Sequence, residues 1–174
     1  MKKLFLLSLV FMLFFSGTDK TSRTAYKSIY ISKAEAKVVS FGAAQEVKIQ
    51  GKIYIKGDYI FIGDVNLGVH VIDNSLPETP VKIGFLKIYG NHDISIKGDI
   101  LFADNFEDMI AIDISNIQQP VVTKRIEKVY KLKDNLYPPN VPYRTYFECV
   151  DSEKGYVIDW ELVEGIEANC YTNN

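Results

Sequence analysis

"IYIKGD" at 53–58 returns as "ISIKGD" at 94–99, identical at five of six positions after a shift of 41 residues. The correspondence runs on: Phe61 meets Phe102, and after a one-residue deletion Asp73, Ser75, Pro80 and Val81 meet Asp113, Ser115, Pro120 and Val121. A whole unit of about 40 residues is therefore written twice, a period that marks repeat architectures in which one supersecondary module stacks on its copy.

Within each unit, short apolar runs alternate with turn residues. Residues 52–56 and 59–63 flank Gly57-Asp58, 69–72 follow "DVNLG", and 81–86 follow a loop with Asp, Ser and Pro. The second copy places strands at 93–97, 100–103, 109–112 and 121–126 by the same signals. In "YIFIG" (59–63) Tyr59 and Phe61 point to one side and Ile60 and Ile62 to the other, so both faces are apolar and both need cover. Small four-stranded sheets held between neighbours are the blades of a β-propeller. The expected fold is all-β: tandem four-stranded antiparallel repeats, partial β-propeller-like, with two blades (51–90 and 91–130, within 36–130) and an incomplete third.

The stretch "GVHVIDNSLPETPVKI" (68–83) resembles the LVIVD repeat family of bacterial envelope β-propeller lipoproteins, in which an apolar strand ends in Asp before a loop with Ser and Pro. "VHVID" (69–73) and "MIAID" (109–113) carry the resemblance. It implies a repeat fold and says little of activity. Gly57, Asp58, Asp73, Pro80, Gly98, Asp99, Asp113 and Pro120 then read as structural signature positions: glycine in the tight turn, a strand-end Asp accepting bonds from its own loop, proline restricting entry to the next strand. Relatives commonly carry a lipid-bearing Cys where this chain has Thr18, and they usually run on through further repeats. Two units fall short of the four or so blades of a closed ring, and their edge strands invite pairing with another copy.

At the N-terminus Lys2 and Lys3 precede an apolar run over 4–15, and Ser16, Gly17 and Thr18 follow, the order of a signal peptide over 1–18. The expected address is export: periplasm, outer membrane-associated or cell surface. Residues 19–35, rich in Ser, Thr and Lys, read as a flexible lead-in. The stretch 131–145 holds three prolines and reads as a surface connection, followed by a hairpin of "YFECVD" and "GYVIDWEL" joined by "SEKG". Cys149 and Cys170 are the two cysteines, candidates for one disulfide in an exported chain.

Chemistry is sparse. His70 and His92 are the two histidines, and neither stands in a known catalytic signature. "DVNLG" (64–68) spaces two oxygen ligands as calcium loops do but lacks the later bidentate Glu and reads as a turn, and "DNFED" (104–108) clusters three carboxylates that could attract a cation weakly but reads as a solvated loop. With a net charge of −2, the chain lacks the positive field that nucleic acid demands. No cofactor is called for. The expectation is a non-catalytic exported repeat protein that binds or scaffolds an envelope protein or glycan through its loops. The alternatives are an envelope polymer hydrolase using Asp64, Asp104 or Asp108, or a truncated paralogue with little function alone.

Overall fold

The computed structural model describes residues 22–132 and 136–173; the signal-like segment 1–18 lies outside them. Their order is β1 (Ser22–Ile31), a helical turn α1 (Lys33–Ala36), β2 (Ser40–Gly42), β3 (Gln50–Lys56), β4 (Tyr59–Asp64), β5 (Gly68–Asp73) and β6 (Val81–Lys87). Next come β7 (Ile94–Lys97), β8 (Ile100–Asn105), β9 (Asp108–Asp113), β10 (Val121–Ile126), β11 (Tyr146–Phe147), β12 (Tyr156–Glu167) and β13 (Cys170–Tyr171). Three sheets result. Sheet 1 has the order β2-β6-β5-β4-β3, sheet 2 the order β10-β9-β8-β7, and sheet 3 the order β12-β1-β11-β13.

Sheets 1 and 2 are the two repeats, and their registers coincide. Ile53 faces Ile62 and Ile55 faces Ile60 in the first; Ile94 faces Ala103 and Ile96 faces Leu101 in the second. Both hairpins turn on a glycine with positive φ, Gly57 at 55° and Gly98 at 58°, followed by Asp, the pattern of a two-residue turn whose twist suits antiparallel strands. Sheet 1 gains a fifth strand, because β2 pairs with β6 from Ser40↔Lys87 to Gly42↔Phe85; the first unit thus begins before residue 51.

Each repeat has a front, carrying Tyr54, Phe61 and Val71 in sheet 1, and a back, carrying Ile94, Ile96, Leu101 and Ala103 in sheet 2. The front of sheet 1 packs on the back of sheet 2, and Phe61, Val69, Val71 and Leu86 from one side meet Ile96, Leu101, Ile110 and Ile112 from the other in a single core. Lys56 Nζ to Asp99 Oδ1 (2.7 Å), Lys52 Nζ to Asp93 Oδ2 (2.5 Å), and the Tyr54 hydroxyl donating to the Ile96 carbonyl (2.7 Å) close its margin. Phe61 and Phe102 share a strand register but not their surroundings. Phe61 is 1% exposed inside this core, whereas Phe102 is half-buried on the front of sheet 2, which sheet 3 leaves open.

Two expectations are corrected here. From Ser22 onward the lead-in expected to be flexible is a ten-residue strand; Ala25, Tyr26, Ile29 and Ile31 are interspersed among its Ser, Thr and Lys residues, and Ala25, Ser28 and Ile31 are buried. Nor do the two C-terminal runs form a hairpin. β1 stands between them, parallel to β11 (Tyr26↔Phe147) and antiparallel to β12 from Ser22↔Glu167 to Ile31↔Tyr156. An adjacent-strand reading cannot see a third strand that arrives from the other end of the chain. Sheet 3, with its parallel pair, is thus no third copy of the repeat. It joins the repeats through Ile31, Ala36 and Tyr156, packed with Tyr89 and Phe106; the Phe106 and Tyr156 rings stack at 4.0 Å.

Candidate binding surface and buried carboxylates

The signature aspartates organise loops. Asp73 Oδ1 accepts the Ser75 N–H at 2.9 Å, and Asp113 Oδ1 accepts the Ser115 N–H at 2.8 Å. Those bonds hold both carboxyls below their usual range, the backbone N–H contributing most. Asp58 and Asp99 work through their carbonyls, accepting from the Asn74 and Ile114 N–H groups. The two strand-end loops are therefore pinned alike in both repeats. Pro80 and Pro120 each stand directly before the last strand of their unit.

Asp64 is fully buried at the end of β4 and accepts from Lys48 N (3.0 Å) and Ile49 N (2.8 Å) while lying 3.0 Å from His70 Nε2. Burial by itself pushes its carboxyl up; the two backbone donors and His70 outweigh that and bring it below the ordinary value. His70, 2% exposed, rests against the Phe85 ring at 4.7 Å, and its Nδ1 has no hydrogen-bond partner among the described residues. The pair fastens the 48–49 segment to β4 and β5. Sealed from solvent, neither group can reach a substrate.

Asp104 does the same for the loop before β7. Its Oδ1 accepts from Asn91 Nδ2 (2.8 Å), His92 N (2.8 Å) and Asp93 N (2.9 Å), and its Oδ2 lies 3.2 Å from His92 Nδ1. Burial raises its carboxyl, but His92 and these N–H groups prevail and lower it. Asp108, 3% exposed, meets Arg125 Nη1 at 2.8 Å and Lys37 Nζ at 3.8 Å and accepts from Lys128 N at 3.1 Å. Asn105 completes that cluster, donating to the Ala36 and Tyr89 carbonyls and accepting from Arg125 at 2.6 Å. It holds in repeat 2 the strand-end position of Asp64, and it clamps α1 to sheet 2. Among the described residues, no three His, Cys, Asp or Glu side chains converge as a metal site.

Sequence reasoning missed the most exposed chemistry, on sheet 3. Tyr143, Tyr146 and Tyr171 are 57%, 40% and 48% exposed. The Arg23 guanidinium lies 4.0 Å over the Tyr146 ring, Tyr146 meets Tyr171 edge to face at 6.1 Å, and Arg144 lies 5.4 Å over Tyr143. Arg144 N bonds to the Thr172 carbonyl at 3.0 Å, so the proline-rich connection that carries Tyr143 runs beside β13, which carries Tyr171. A disulfide joins Cys149 to Cys170, with an S–S distance of 2.06 Å, and ties β13 into the sheet beside them. The one available signal was compositional: Tyr and Arg concentrated at 143–146 without strand periodicity.

The two stacked sheets, with strand-end aspartates pinning matching loops, define a tandem β-repeat protein. The LVIVD repeat model matches residues 42–85 and 90–127, one match on each sheet, and through these two repeats the chain belongs to the LVIVD repeat family. Its repeats are β-propeller-like. Neither a curated protein nor a solved structure matches the chain.

Proposed function

We propose that this is an exported, non-catalytic protein of the bacterial cell envelope that binds or scaffolds an envelope protein or glycan. The observation carrying the reading is the exposed Tyr146–Tyr171 pair under Arg23, with the exposed Tyr143 and its Arg144 on the adjoining connection. Rigid aromatic rings braced by guanidinium groups bring large contact area at small entropic cost, and Tyr and Arg are the side chains that most often dominate recognition surfaces. Two further features support it. The Cys149–Cys170 bond suits an oxidising compartment, and Asp64 and Asp108 are spent on buried structural bonds, which weakens the hydrolase alternative.

Calorimetric titration of purified envelope polysaccharides and peptidoglycan fragments tests the binding half. The wild-type protein is expected to bind one of them, and the Tyr143→Ala, Tyr146→Ala double variant to bind at least tenfold more weakly with unchanged melting. Equal affinity of the two proteins would remove this surface from the function. Fractionation of expressing cells, with N-terminal sequencing of the product, tests export: the chain is expected outside the cytoplasm and shortened near Asp19.

A further inference from the structure

The two repeats stack front to back, so the pair leaves one front unpartnered and one back that the chain itself covers only over His70 and Phe85, beside the 46–49 segment. The leftover back belongs to sheet 1. Its Ile53 and Ile55 occupy the registers of Ile94 and Ile96, yet they are 53% and 65% exposed where their counterparts are 5% and 7% exposed. Ile60, Ile62 and Ile72 continue the same face half-buried. An apolar row this continuous on a sheet face marks a contact surface rather than scattered surface residues. The leftover front belongs to sheet 2. There Phe102 and Met109 stand half-buried beside Ile126 and Tyr130, and a hollow of about 260 Å³ opens between Phe102, Met109 and Tyr130.

The covered junction shows what such a back receives, namely the front of another repeat. It also shows which charges accompany the contact. Lys56 on the front repeat reaches Asp99 on the back repeat at 2.7 Å. Shifting both by one unit gives Lys97 on the open front of sheet 2 and Asp58 on the open back of sheet 1. Both are exposed, and neither forms an ion pair with another described residue. The leftover faces therefore carry complementary charges at the positions where the internal contact has its own pair.

We infer that the open back of sheet 1 is covered by the open front of sheet 2 from a second copy of this chain, in a head-to-tail contact repeating the one inside the protomer, with Lys97 of one copy meeting Asp58 of the next. The contact is heterologous: it grows into a ring if the rotation between copies closes and into a filament if it does not. It uses sheet faces, whereas the sequence pointed to edge strands, and it is independent of what the tyrosine surface binds.

Light scattering coupled to size exclusion, over a concentration series of the purified protein, is expected to show a mass of two or more protomers. Ile55→Lys blocks the back and Met109→Lys blocks the front; each alone is expected to be monomeric, while their mixture forms a dimer and nothing larger, since each species retains one usable face. Circular dichroism melting separates a blocked face from a failed fold. Asp58→Lys and Lys97→Asp each weaken association about tenfold, and the double variant restores it because the pair is reversed in both copies. A wild-type monomer at all concentrations would overturn the inference. So would dimers of Met109→Lys alone, which would mean back-to-back pairing, or a monomer whose melting falls with Ile55→Lys, which would mean the face is covered within one chain.

Discussion

At the scale of single residues, the most consequential group is Asp64. Its fully buried carboxylate satisfies two backbone donors and a buried histidine at once. Asp64→Ala leaves those donors unpaired, which costs about 2–4 kcal/mol; urea unfolding followed by far-ultraviolet circular dichroism measures it. The same residue sets an acid limit. Because the folded carboxyls of Asp64 and Asp104 lie below their unfolded values, the native state holds fewer protons than the unfolded chain as pH falls. Their contribution is complete above the unfolded value, about 3.9, and is lost as pH drops through the lower folded values. Unfolding free energy measured at pH 6 and in stronger acid is thus expected to fall by less in Asp64→Asn than in the wild type. Gly68 is the other sensitive point. At φ 144° a Cβ there would lie 2.1 Å from the Leu86 carbonyl oxygen, so Gly68→Ala is expected to destabilise by more than about 2 kcal/mol, visible as a lowered urea midpoint.

At the scale of elements, the repeat was legible in the sequence and sheet 3 was not, for one physical reason. Strands β3 to β6 and β7 to β10 pair with chain neighbours through short turns, so glycine, Asp-Ser loops and alternating Ile residues announce each one locally. β1 has no such neighbour. Its polar residues read as loop until β11 and β12 supply partners, with Ser28 reaching the Glu148 carbonyl across 120 residues. Reading both faces of "YIFIG" as apolar was correct, but the pattern could not say that one face would stay open. The tyrosine surface escaped notice because its residues lie in an aperiodic segment, where period carries no information. Sheet 3 is held by β1 and by the disulfide, which closes a separation of 21 residues. Reduction, or Cys149→Ser, is expected to cost about 3 kcal/mol of stability, read as a lower melting temperature in reductant.

At the scale of the whole molecule, two bodies of different construction meet at one small joint. The repeats share a core of isoleucine, leucine, valine and phenylalanine; sheet 3 packs on them around the Phe106–Tyr156 stack, with Ile31, Ile158, Ala36 and Tyr89 beside it. Regions with few buried apolar contacts open first. Hydrogen exchange read by mass spectrometry is expected to protect β4, β5, β8 and β9 longest. Phe106→Ala is expected to speed exchange in β1 and β12 while leaving those four strands unchanged. Acceleration throughout would mean that the joint stabilises both bodies together.

Threading β1 between strands from the far end has a consequence for biogenesis. As the polypeptide emerges amino end first, both repeats can zip up from local partners, whereas Ser22–Ile31 must wait with two bare edges until Tyr146 and everything through Glu167 has appeared. During that interval the waiting segment is the stretch most open to a chaperone, a protease or a neighbouring nascent chain. Its capture by the tail then signals that synthesis has passed residue 167.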